Sequence, residues 1–388
     1  MGTVGIIAEF NPLHKGHEYL IREAKNLGTV IAVISGNFVQ RGDTAIAEKR
    51  VRTKATLLAG ADIVLELPVL WSMSTAQNFA LGGVSALISA GCDTIMFGSE
   101  IGEISPLIET AEILCSNEFS LEVKKHLEKG VTFANARQSA AESLGAPKGI
   151  LEGANNNLAI EYIIAAKKLG ANVEFKTVKR RGAQHDSKEL SEFVSASLLR
   201  EKLLEKDKEF CSRYMSENIL SLFDQGISDI KRIETSILSI LRTRNLEELK
   251  LLPDISEGVE NKLYFAIRQT TNLKDLCEQI KVKRYTLARI RRLVLGAYLG
   301  FDNSFFMKSL PYLRVLGFNS CGEKFLKDEI KNIKIPVILR AKEIETLPLN
   351  AKKVFEIERK ATDLYSLSLE KPLPCGIEYT AKLIKMEC

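Results

Sequence analysis

The first twenty residues, MGTVGIIAEFNPLHKGHEYL, constrain this chain more than any other stretch. Val4, Ile6 and Ile7 make residues 3–8 a short, apolar, β-branched run, which predicts a buried strand. A tight turn follows at Asn11-Pro12-Leu13-His14. Amphipathic spacing then predicts a helix from about Gly16 to Leu27, closed by Gly28 as its C-cap. At the joint stands His14-Lys15-Gly16-His17. A helix N-terminus offers unpaired N–H groups and the positive end of the dipole, so it suits a polyphosphate. Gly16 lets an anion approach the backbone closely, and the two imidazoles can donate hydrogen bonds as charge builds on a leaving phosphate. Two of the chain's four histidines sit in this one motif, which argues against accident.

Behind this unit the pattern alternates. Residues 29–35 (TVIAVIS), 63–67 (IVLEL) and 94–97 read as further strands, with helical stretches at 45–58 and 74–89 between them. Such alternation predicts a parallel sheet with right-handed crossovers, whose ligands bind beyond the carboxyl ends of the strands. Loops 9–17, 36–43 and 98–102 leave at that edge. Residues 106–144 read as helical, broken at Gly130. Asn155-Asn156-Asn157 leads into an apolar helix, and one of the three is expected to cap it. A fifth strand, 172–178, empties into Lys179-Arg180-Arg181-Gly182-Ala183-Gln184-His185-Asp186. Ser195-Ala196-Ser197-Leu198-Leu199-Arg200 then opens another helix, with hydroxyls and N–H groups at its start and a guanidinium one turn in.

Beyond residue 205 the glycines thin out and the pattern turns helical, so two domains are expected: 1–200, α/β, and 201–388, mainly helical. No apolar run reaches the length of a membrane span, and the strand beginning at Thr3 leaves no room for a signal peptide. Seven scattered cysteines, none in CxxC spacing, fit a reducing cytoplasm rather than zinc or disulfides. The net charge of +5 permits a nucleic-acid partner without requiring one. In the run Lys281-Val282-Lys283-Arg284-Tyr285-Thr286-Leu287-Ala288-Arg289-Ile290-Arg291-Arg292 the basic residues are either a solvated face or contacts for an RNA backbone.

The HxGH and SxSxxR signatures, in that order, are similar to those of the nucleotidyltransferase superfamily. GIIAEFNPLHKGH, SGNFVQRGDTAIAEKRVR, ADIVLELP, FGSE, NNNLAIEY, KRRGAQHD, VSASLLR, KRYTLARIRRL and YLRVLGFN together resemble the tRNA(Met) cytidine acetate ligase family. The resemblance implies a Rossmann-like nucleotidyltransferase fold in a bacterial cytoplasmic enzyme. Its implied reaction joins free acetate to the wobble cytidine of elongator tRNA(Met), through an acetyl-adenylate made from ATP, leaving AMP and pyrophosphate. It further implies an ATP site at Ile7, Ala8, Glu9, Phe10, Asn11, Pro12, Leu13, His14, Lys15, Gly16, His17, Glu18, Tyr19, Leu20, Gly98, Asn155 and Arg180. Ala154 stands where the family usually has proline, so Asn156 competes with Asn155. Residues 179–186 look one residue short, so Arg181 competes with the favoured Arg180.

On this reading His14 and His17 stabilise phosphate charge, Lys15, Arg180 and Arg200 supply counter-charge, and Ser195 and Ser197 bond phosphate oxygens. Mg²⁺ is expected to be held by the nucleotide and water rather than by a protein cage. Loop 36–43 is the candidate lid. Its Arg41 pairs either with acetate or phosphate or within the loop, and Glu9 either orients a histidine or caps the turn. The expected tRNA contacts are Lys281, Lys283, Arg284, Arg289, Arg291 and Arg292, with neither membrane nor DNA as a partner. The rivals are a small-molecule adenylyltransferase and a non-catalytic RNA-binding protein.

Overall fold

Among the described residues ten strands form: β1 (Gly2–Ala8), β2 (Gly28–Ser35), β3 (Phe38–Val39), β4 (Asp43–Thr44), β5 (Ile63–Leu67), β6 (Thr94–Ser99), β7 (Glu174–Lys179), β8 (Leu313–Asn319), β9 (Val337–Ile338) and β10 (Ile384–Met386). They belong to a computed structural model that describes residues 2–180, 194–256, 258–281, 285–305 and 309–387. The main sheet runs β10-β8-β5-β2-β1-β6-β7, with β9 beside β8. Every pair in it is parallel except β5 with β8. All five strands expected from the sequence form.

Alternation within the strands covers both faces. On β2, Ile31 and Val33 point into one apolar layer with Ile7, Leu87, Ile160 and Ile164. Val30, Ala32 and Ile34 point into the other, with Val4, Ile6, Leu20, Ile21 and Ala55. Burial on both sides is why these strands read as continuous apolar runs.

Three expectations change. Gly28 does not cap the first helix, which spans Lys15–Lys25 and ends on Asn26. It opens β2 opposite Gly2, where a Cβ would lie 1.9 Å from the Gly2 carbonyl oxygen, so the strand pair requires the glycine. No asparagine of 155–157 is an N-cap either: Gly153 takes that position before the helix Ala154–Lys168. Loop 36–43 contains a small antiparallel hairpin, β3 with β4.

The sheet also crosses the boundary expected near residue 200. β8 and β10 come from beyond residue 310 and extend the same sheet past β5. β8 carries its own apolar run, LRVLGF, but a lone strand among helices has no neighbouring βα unit to announce it.

Candidate active site

The carboxyl ends of β1, β6 and β7 open onto a cleft of about 640 Å³. His14 is the N-cap of the helix Lys15–Lys25, and its Nδ1 accepts from Gly16 N–H at 3.1 Å. His17 Nδ1 in turn accepts from His14 N–H at 3.4 Å, closing a capping box made of two imidazoles. The rings stack with centroids 3.8 Å apart, and Phe10 meets His17 edge-on at 5.1 Å. Phe10 holds φ at +45°, a left-handed conformation that costs a bulky residue on the order of 1–3 kcal/mol.

These hydrogen bonds assign the tautomer. With Nδ1 accepting, each neutral imidazole carries its proton on Nε2. Burial, reinforced by the Arg180 charge, pushes the His14 pKa down to about 3. Burial, His14 and Arg180 push His17 down as well. Both rings are therefore neutral N–H donors at pH 7. His14 Nε2 is buried and has no hydrogen-bond partner among the described residues.

The second signature docks onto the first. Ser195 Oγ caps the helix Ala196–Leu204 by accepting from Leu198 N–H at 3.3 Å. Arg200 donates from Nη1 to the Asn11 carbonyl at 2.8 Å and from Nη2 to Ser197 Oγ at 3.0 Å. Asn11 is buried, and its Oδ1 accepts from Ile46 N–H at 2.7 Å. Arg200 thus ties the two helix starts together across the histidine turn.

Opposite the histidines, Arg180 Nη1 donates to Asn155 Oδ1 at 2.7 Å, and Asn155 Nδ2 donates to Glu100 Oε1 at 2.6 Å. The Glu100 carboxylate also accepts the N–H groups of Asn155 and Asn156, capping the helix Ala154–Lys168 from outside. Asn156 faces the loop instead, its Oδ1 accepting from Glu100 and Ile101 N–H. Geometry therefore favours Asn155 over Asn156 as the residue lining the cleft. Arg181, its rival Arg180's neighbour, lies outside the described residues.

Ile7, Ala8, Glu9, Phe10, Asn11, His14, Gly16, His17, Tyr19, Leu20, Gly98, Asn155, Arg180, Ser195 and Arg200 all line the cleft. Pro12, Leu13, Lys15, Glu18 and Ser197 do not. Leu13 is core, Lys15 Nζ donates to the Arg213 carbonyl at 2.8 Å, and Glu18 accepts from Ser216 Oγ at 2.7 Å. Tyr19 and Arg22 reach the cleft from the same side of this helix, so what turns Lys15 and Glu18 away is their contact with Arg213 and Ser216 rather than the helical turn alone.

Arg22, Phe79, Phe97, Glu100, Leu158 and Tyr162 line the cleft without having been expected there. One signal was available: Asn155, Leu158 and Tyr162 share a helix face at i, i+3 and i+7.

The basic run fares differently. Arg289 stacks on Tyr285 at 3.7 Å and donates to the Asp254 carbonyl at 2.8 Å, with an ion pair to its carboxylate at 3.1 Å. Arg292 donates to the Gln40 carbonyl at 3.1 Å and pairs with Asp254 at 3.6 Å. Both are partly buried and face protein; Lys281 and Arg291 are exposed. Lys283 and Arg284 lie outside the described residues.

The profile of the HIGH nucleotidyl transferase family matches residues 1–375. The tRNA(Met) cytidine acetate ligase of Thermoanaerobacter sp. is 39% identical to this chain, with both covered over 100% of their lengths. That of Clostridium acetobutylicum is 34% identical over 94% of this chain and 97% of its own. The crystal structure of apo Thermotoga maritima TmcAL superimposes with a TM-score of 0.92 at 31% identity, covering all of both chains.

This chain belongs to the tRNA(Met) cytidine acetate ligase family.

A second structure of that Thermotoga protein, solved with alpha-thio ATP bound, matches with a TM-score of 0.91 at 30% identity and full coverage of both chains. The match to the HIGH nucleotidyl transferase family includes the strand–turn–helix described above. No described helix of this member is long and apolar enough to cross a membrane.

Proposed function

We propose that this protein activates acetate with ATP in the histidine cleft and transfers the acetyl group to the wobble cytidine of elongator tRNA(Met), in the cytoplasm. The observation that carries this reading is the stacked, neutral imidazole pair at a helix N-terminus, in which the buried His14 Nε2–H has no partner among the described residues.

An acetate oxygen attacks the α-phosphorus of ATP, forming a C–O–P bond while the P–O bond to pyrophosphate breaks. Charge then grows on the departing phosphates. Neutral N–H donors fixed beforehand stabilise that charge without reorganising, which is worth roughly 10²–10³ in rate per donor. Arg200 and Arg180 add positive charge from either side of the cleft. Ser195 assists by ordering the start of its helix, since its hydroxyl already accepts a backbone N–H. In the second step the cytidine N4 amine attacks the acetyl carbonyl, the C–O bond to AMP breaks, and the amine proton leaves to solvent or a base. The Gln40–Arg41 edge of loop 36–43 lies where a shield over the water-sensitive anhydride is needed.

Mg²⁺ fits here as an ion carried by the nucleotide, whose phosphates it would neutralise. Among the described residues lining the cleft the carboxylates are Glu9 and Glu100, and both accept backbone N–H groups already. The exposed Lys281 and Arg291 remain candidate contacts for the tRNA backbone.

The test supplies labelled acetate, ATP, Mg²⁺ and total tRNA, then digests the RNA. Label in N4-acetylcytidine from tRNA(Met) alone is the expected result. Label elsewhere, or pyrophosphate release driven by a phosphorylated metabolite and not by acetate, would replace the reading with that of a small-molecule adenylyltransferase.

A further inference from the structure

Gln40 is clamped at both of its backbone polar groups. Its N–H donates to Glu9 Oε1 at 2.9 Å, and its carbonyl accepts from Arg292 Nη1 at 3.1 Å. Glu9 follows β1 and lines the cleft, whereas Arg292 lies in the helix Leu287–Leu299, 252 residues beyond Gln40. Arg292 is itself held by the Asp254 carboxylate, which also engages Arg289. Gly42, at φ +71°, completes the seat: a Cβ there would come within 2.6 Å of the Arg291 Cβ and the Arg292 nitrogen. The helical half of the chain therefore rests directly on the loop that brings Gln40 and Arg41 to the cleft.

We infer that Arg292 is a positioning residue for acetate activation, and not part of the tRNA surface. It acts through Gln40, fixing the peptide from which Arg41 and the cleft wall are presented, and Asp254 keeps its guanidinium in register. An arginine that is 16% exposed and spends one nitrogen on a carbonyl and another on a carboxylate has little left for a phosphate backbone. This inference rests on the cleft being where acetate and ATP react.

The experiment separates the two roles. Arg292→Ala, Arg292→Lys and Gly42→Ala are assayed for acetate-dependent exchange of labelled pyrophosphate into ATP, with and without tRNA, and for tRNA affinity by filter binding. Thermal melts identify any variant that does not fold. Arg292→Ala is expected to lower kcat/KM for acetate about tenfold, through KM more than kcat, with tRNA affinity unchanged. Arg292→Lys keeps the charge but not the fork, so partial rescue is expected. Gly42→Ala should reproduce the acetate defect from the other side of the contact. Weaker tRNA binding with normal exchange would return Arg292 to the RNA surface, and normal behaviour in both assays would also overturn the inference. His14→Ala serves as the control: exchange that survives it would mean the nucleotide reacts elsewhere, a failure of the site rather than of the strut.

Discussion

Lys49 Nζ lies 3.1 Å from Glu358 Oε1, although 309 positions separate them and neither side chain is more than 2% exposed. Lys49 comes from the helix after loop 36–43, and Glu358 from the helix Leu349–Ser366. Around them gather Glu66 on β5, Arg314 on β8 and Glu378. Three carboxyl groups thus face two cations, leaving one excess negative charge. Burial and the neighbouring Glu66 push the Glu358 pKa up, so Glu358 keeps a proton and the charge balances. Burial opposes ionisation of Glu378 too, but Arg314 and Lys49 outweigh it and hold its pKa down. Among the described residues these carboxylates are the one trio close enough to share a cation, and Lys49 and Arg314 already meet their charge.

Breaking this cluster should cost unequal amounts. Lys49→Met leaves buried carboxylates unpaired and is expected to destabilise the fold by about 3–5 kcal/mol. Glu358→Gln replaces a group that is already neutral and should cost about 1 kcal/mol. Urea unfolding of both variants measures the difference. Equal losses would mean Glu358 is ionised in the fold.

His14 sets a pH dependence. Its pKa is pushed down to about 3 by burial and Arg180, from 6.5 in an exposed chain. Between these values the unfolded state binds more protons, so stability should rise with pH across that window and be lost as pH falls from 6.5 toward 3. The imidazole signals of His14 should stay unshifted between pH 5 and 8 in an NMR titration. A midpoint near 6.5 would show a solvated ring.

His14→Ala and His17→Ala should each lower acetate-dependent pyrophosphate formation by about 10²–10³. His17→Ala also removes half of the capping box, so its melting temperature should fall as well. Activity within a factor of two of the parent in either variant would remove the histidines from the chemistry.

Asn155→Ala should raise the KM for ATP about tenfold with little change in stability, because it releases Arg180 while Glu100 still caps its helix through backbone N–H groups. Asn156→Ala should do the reverse, loosening the 100–101 loop that it holds. The comparison decides between the two asparagines.

Gly28→Ala should destabilise the fold by about 1–3 kcal/mol through overpacking against the Gly2 carbonyl. A C-cap role would instead predict a loss only at the helix end, which hydrogen exchange of residues 22–27 would reveal.

The strand–turn–helix at the start, the five strands and the two helix-start signatures were legible in the sequence, because each depends on residues within about twenty positions of one another. Period, β-branching and a glycine between two histidines are local quantities. What sequence could not supply were contacts across long separations. The docking of Arg213 and Ser216 beside the first helix decided that Lys15 and Glu18 turn to them while Gly16 and His17 line the cleft. The antiparallel docking of β8 on β5 decided that the chain does not divide cleanly at residue 200. Most of all, a run of arginines reads alike whether it faces RNA or protein. Only the fold, by bringing Asp254 and the Gln40 carbonyl to Arg289 and Arg292, fixed what those charges pair with, since an ion pair depends on distance in space and leaves no trace in spacing along the chain.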